Sequence, residues 1–174
     1  MNSQKGFTLI ELVVTLGVAA VLAGMVLAGY NRFNQRQSLI SAGQNLKSIL
    51  EDAKNRAAVS EVDCTICGGC TPSSSSDFAG WYVDFEKRQI YGKCGSNVFS
   101  EKSFGISENI KITPYITPPT GMLFNYSPLG ISSITPNQNV SICLSENNLA
   151  NTFYEINVSR DGIISGSDLS SSCP

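Results

Sequence analysis

Three textures follow one another along the chain. From Leu12 to Tyr30 there are 19 residues without a charge, most of them apolar or small. Wound as a helix at ~1.5 Å per residue, the run covers roughly 28 Å, about one bilayer hydrocarbon core. A helix that is apolar on every side cannot be an ordinary surface helix of a soluble domain. Gly17, Ala19, Ala20, Ala23, Gly24, Ala28 and Gly29 in this run suit close approach of another helix. Past Tyr30 polar residues return. Leu39, Ala42, Leu46, Ile49, Leu50, Ala53 and Ala57 still recur at three- and four-residue steps, which predicts one buried face on a continuing helix. Lys47/Glu51 and Asp52/Arg56 stand four apart, spaced for ion pairs on the outer faces. No proline interrupts residues 7–60, so one helix is predicted from about Phe7 to about Val59, roughly 80 Å long. Gly24, Gly29 and Gly43 are the places where it could bend.

The third texture is strand-like. Cys64 to Pro72 and Ser73–Ser76 read as a loop by composition. Trp81, Val83 and Phe85 then alternate with Tyr82 and Asp84, the period of a strand. Glu86-Lys87-Arg88 turns into a short strand at Gln89–Tyr91. Further strands are predicted at Ile110–Ile116, Met122–Tyr126, Val140–Leu144 and Tyr154–Val158. Arg160-Asp161-Gly162 makes a hairpin turn into Ile163–Ser165. Pro114 confines its segment to an edge or a bulge, and Pro118-Pro119 starts a turn. The amphipathic half of the helix needs a cover, and a sheet supplies one.

Composition narrows the chemistry. The 174 residues carry a formal net charge of −2 and no histidine. That removes His-based triads and the most frequent zinc ligand. No nucleophile–base pair stands out, and Cys67-Gly68-Gly69-Cys70 lacks the strand–helix context of a phosphate loop. No enzyme activity and no cofactor are expected. After Lys111 the only cation is Arg160, against Glu146, Glu155, Asp161 and Asp168, so direct DNA binding by the terminal region is not expected. Asp161 and Asp168 read as a hairpin turn residue and a solvated tail residue rather than as a calcium site.

The first thirty residues carry the most specific signal. A cleaved secretory signal has a shorter apolar run, and a plain membrane anchor leaves Glu11 unexplained. A carboxylate inside an apolar helix costs about 2.5–3.5 kcal/mol even on the lenient insertion scale. Lys5-Gly6-Phe7-Thr8-Leu9-Ile10-Glu11-Leu12 resembles the processing signal of type IV pilins and type II secretion pseudopilins. The resemblance implies cleavage between Gly6 and Phe7 by prepilin peptidase, with Phe7 becoming an N-methylated amino terminus and Glu11 the fifth mature residue. Loss of Lys5 leaves 11 basic against 14 acidic side chains. In a filament, the Glu11 carboxylate of one subunit would neutralise the Phe7 amine of a neighbour, since a pair in low dielectric is far cheaper than an unpaired charge. Glu11 snorkelling at the membrane surface stays open beside it.

The resemblance implies an α+β, pilin-like fold: a long hydrophobic amino-terminal helix packed by its carboxy-terminal half on an antiparallel sheet domain. The expected parts are a leader (1–6), a membrane and filament-core helix (7–30), an amphipathic helix (31–60), a Cys/Ser-rich loop (61–80) and a β-rich domain (81–174). Trp81–Phe85, Leu123–Gly130 and Ile156–Ile164 are similar to the GspH/FimT group of minor pilins and pseudopilins. The implied partners are prepilin peptidase, other pilin or pseudopilin subunits, the inner-membrane assembly platform and membrane lipid. The implied place is the bacterial inner membrane, single-pass with the carboxy-terminal domain outside the cytoplasm, and then a filament. A singly anchored binding domain that never polymerises is the alternative.

Six cysteines allow 15 pairings. Cys64, Cys67 and Cys70 have the spacing of a thiolate metal site or a redox pair, with Cys94 or another cysteine needed as a fourth ligand. Outside the cytoplasm the same residues favour disulfides. The favoured expectation is a Cys143–Cys173 bridge tying the tail to a strand, with Cys64, Cys67, Cys70 and Cys94 paired among themselves and no metal.

Overall fold

The computed structural model describes residues 8–68, 78–117, 120–126 and 133–173, without the side chains of 26–28 and 167–168. It divides into two compact units, Met1–Gln37 and Ser38–Pro174. Helix α1 (Leu9–Ala58) contributes to both. In the first unit its apolar residues face outward: Leu9, Val14, Val18, Leu22 and Met25 are all more than half exposed.

The second unit joins the rest of α1 to nine described strands: β1 (Phe78–Asp84), β2 (Gln89–Cys94), β3 (Asn97–Ser103), β4 (Ile110–Tyr115), β5 (Gly121–Asn125), β6 (Ile134–Thr135), β7 (Val140–Glu146), β8 (Phe153–Val158) and β9 (Ile164–Ser170). They form two antiparallel sheets, where the periodicity had asked for one cover. The first runs β3-β2-β1-β5-β6 and the second β4-β7-β8-β9. Pro114 sits on β4, an edge strand, where its missing N–H breaks no ladder. The β8–β9 hairpin closes through Gly162, whose N–H donates to the Ser159 carbonyl and whose φ is 71°.

The helix face read from the sequence is the one that packs. Leu39, Leu46, Ile49, Leu50, Ala53 and Ala57 are buried in one cluster with Trp81, Phe124, Ile142 and Ile156, and Ala42 is half-buried. Gly43 does not bend α1, which runs unbroken through it. It is buried because the Tyr154 ring lies where its Cβ would stand.

Of the two expected ion pairs on α1, Arg56 reaches Asp52 at 3.0 Å, whereas Lys47 and Glu51 form none. The Lys47 stem instead lies against Gly166 of β9. Arg56 also pairs with Glu61 at 2.8 Å and lies 4.9 Å from the centre of the Trp81 ring. Trp81 Nε1 in turn donates to the Glu61 carbonyl at 3.2 Å. These contacts fasten the end of α1 to the first sheet.

Candidate functional site

At the start of α1, Thr8 takes the cap position. Its carbonyl accepts the first helical bond, from the Leu12 N–H at 3.2 Å. Its hydroxyl donates to Glu11 Oε2 at 2.8 Å, and its backbone N–H donates to the same oxygen at 3.0 Å. The Thr8 hydroxyl oxygen accepts from the Glu11 N–H at 3.4 Å. This is a reciprocal capping box, in which two donors that a helix start leaves unpaired are satisfied locally. The signal was in the sequence: Thr8 and Glu11 have the Thr-x-x-Glu spacing. Oε1 of Glu11 has no partner among the described residues. Gly6 and Phe7, the expected cleavage and methylation positions, lie outside the described residues.

From Glu11 onward α1 is long and apolar enough to cross a membrane, by length and composition. Glu11 is the one carboxylate in the first unit's described residues. Its capping role lowers the cost of holding it at the head of an apolar segment, because its charge is hydrogen-bonded to the helix start.

The cysteines lie elsewhere. Cys67 bridges Cys94 with a Cα–Cα distance of 5.4 Å, joining the segment after α1 to the end of β2. Cys143 bridges Cys173 at 6.3 Å, joining β7 to the tail. Cys64 is disulfide-bonded, and Cys70 lies outside the described residues. Sulfurs in disulfides are not thiolate ligands, which removes Cys64, Cys67 and Cys94 from the metal-site reading. Asp63 organises this segment. Its carboxylate accepts from the Thr65 hydroxyl and from the Thr65 N–H at 2.9 Å, and these bonds hold its pKa below the ordinary aspartate range.

At the carboxy-terminal hairpin, Asp161 lies 3.7 Å from Arg160 and is largely exposed. The side chain of Asp168 lies outside the described residues.

Comparison with known proteins finds a match over the amino-terminal segment. Residues 1–27 match the family described as the prokaryotic N-terminal methylation motif. Fimbrial protein Q of Moraxella bovis is 31% identical over 105 residues, 60% of this chain and 61% of that protein. The type IV major alpha-pilin of Moraxella bovis is 36% identical over 77 residues, 44% of this chain and 43% of that one. The chain thus matches about three fifths or less of the length of these relatives. The crystal structure of the type IV minor pilin FimU of Pseudomonas aeruginosa superposes with a TM-score of 0.53, over 82% of this chain and 96% of that one, at 13% identity.

The chain is similar to type IV pilins in its amino-terminal methylation motif and in its fold. The pilin-like chain carries the methylation motif on the segment that ends in the capped Glu11 helix, and its α+β fold matches that of FimU.

Proposed function

We propose that the pilin-like chain is a filament subunit cut by prepilin peptidase between Gly6 and Phe7, N-methylated on Phe7, and stored in the bacterial inner membrane with its carboxy-terminal domain outside the cytoplasm. The inner-membrane platform then assembles it through α1 into a type IV pilus, as a minor subunit. The observation that carries this reading is the lone Glu11 carboxylate at the head of an outward-facing apolar helix. Its Oε2 is engaged by Thr8, while Oε1 remains to receive the Phe7 ammonium of a neighbour. The cap thus pre-positions the carboxylate, and the incoming charge completes a pair that low dielectric rewards. The printed names of the relatives, a fimbrial protein and a major alpha-pilin, support a pilus over a secretion pseudopilus. The match to a minor pilin structure supports the minor role.

The test combines processing with assembly. Mass spectrometry of the mature protein is expected to find an amino terminus at methylated Phe7. Glu11→Ala is expected to leave trimming intact and to abolish incorporation into filaments, read by immunogold labelling. A chain starting at Met1, or normal incorporation of Glu11→Ala, sinks the reading. The first result would favour the anchored domain that does not polymerise.

A further inference from the structure

The apolar run of α1 ends at Tyr30, and the next charges in the chain are Arg32 and Arg36. They stand four residues apart on a helix, so their side chains leave it about 40° apart and one turn displaced. Like charges at this spacing destabilise a helix unless an anion sits between them. Both side chains are exposed, and neither pairs with an acid among the described residues. The sequence places none nearby, since no Asp or Glu occurs from Leu12 to Leu50. Two aromatic residues share these turns, Tyr30 at 62% and Phe33 at 65% exposure.

Depth supplies the occupant. If the apolar run fills the hydrocarbon core, residues two to six positions past Tyr30 sit about 3–9 Å beyond its edge, in the headgroup layer. Tyrosine, with an apolar ring and a polar hydroxyl, is enriched at that level in membrane proteins. Arginine's planar fork donates two bonds to a phosphate, and its weaker hydration favours such a pair over a lysine's. We propose that Arg32 and Arg36 together clamp the phosphodiester of an anionic phospholipid where α1 leaves the bilayer, with Tyr30 and Phe33 seated in the same layer. The clamp rests on the membrane-stored state proposed above. It gives that state a defined depth and relieves the repulsion between the two arginines.

The test uses the full chain in phosphatidylcholine nanodiscs doped with spin-labelled phosphatidylglycerol or spin-labelled phosphatidylcholine. The fraction of motionally restricted lipid is read by electron paramagnetic resonance. Phosphatidylglycerol is expected to be preferred about fivefold or more. The R32Q/R36Q double variant is expected to lose that preference, and R32K/R36K to keep part of it. Equal restriction of the two lipids, or full preference in R32Q/R36Q, overturns the clamp. So does cross-linking that finds a second copy of the chain over these arginines while lipid preference is absent. Co-flotation of the same variants with phosphatidylcholine vesicles separates the two ideas. A chain that fails to float overturns the membrane-stored state and the clamp together, whereas one that floats without discriminating overturns the clamp alone.

Discussion

Gly43 and Tyr154 are a matched pair: the glycine's bare Cα is the seat of a buried ring. Gly43→Ala gains helix propensity of about 1 kcal/mol but forces the ring aside, a type of overpacking that costs typically about 1–3 kcal/mol. The expected net result is a lower urea midpoint for the detergent-solubilised chain, partly recovered by adding Tyr154→Leu. Glu146 presents the opposite problem. Its Oε2 is buried with no hydrogen-bond partner among the described residues, and burial pushes its carboxyl above the ordinary glutamate value. The native state therefore holds a proton that the unfolded chain releases, so stability falls as pH climbs from about 4.5 through the raised pKa. Glu146→Gln removes that penalty. It is expected to raise the melting temperature at pH 7, by the equivalent of less than about 1 kcal/mol, and to change nothing near pH 3.5. Asp63 carries the reverse sign: its stabilisation is present above the ordinary aspartate pKa and is lost as pH falls through the lowered one.

Among the elements, the two bridges that join described cysteines have the largest expected effect. Each closes a loop of similar size, with sequence separations of 27 and 30. Loop-closure entropy for such lengths predicts about 3.5 kcal/mol each. The C67S/C94S pair is expected to lower the unfolding free energy by about 2–4 kcal/mol, measured by urea titration. C143S/C173S is expected to act alike and near-additively, the two sites having no residue in common.

What the sequence disclosed about these elements depended on periodicity. The buried face of α1 was legible because seven apolar residues kept helical spacing through Ala57. Strand β3 was not, because Asn97–Ser103 buries Phe99 alone and so shows no alternation. It is held by the turn at Gly95 and by its pairing with β2, neither of which a hydrophobic pattern records. Six-residue β2 was read only as far as Tyr91, since Gly92 breaks the pattern. That glycine is where the Phe99 ring packs. At the site, Glu11 announced itself as a charge in an apolar run. Thr8 was not singled out, because its role rests on the Thr-x-x-Glu spacing with Glu11 and hydrophobic periodicity does not record that spacing.

The whole chain is made of a part that folds on its own contacts and a part that leaves its apolar surface outward. The buried cluster lies within Ser38–Pro174, the second compact unit. A fragment beginning at Ser38 is therefore expected to be a soluble monomer with one cooperative melting transition, checked by size exclusion and calorimetry. A fragment that aggregates or melts without cooperativity would contradict this. Solubility is expected to follow from losing the exposed Leu9–Met25 surface, because large apolar areas drive association.

The covalent links also decide how the chain answers to being pulled. Tension entering through α1 and leaving near the tail meets the Cys67–Cys94 junction nine residues past Ala58, and later the Cys143–Cys173 junction. The backbone within each closed loop then bears no load. Together the loops withhold about 190 Å of contour length that a reduced chain would pay out, at ~3.3–3.6 Å per residue. A thread built from such units stretches less before it breaks, and strands β1 and β8 cannot be drawn straight while the sulfurs hold.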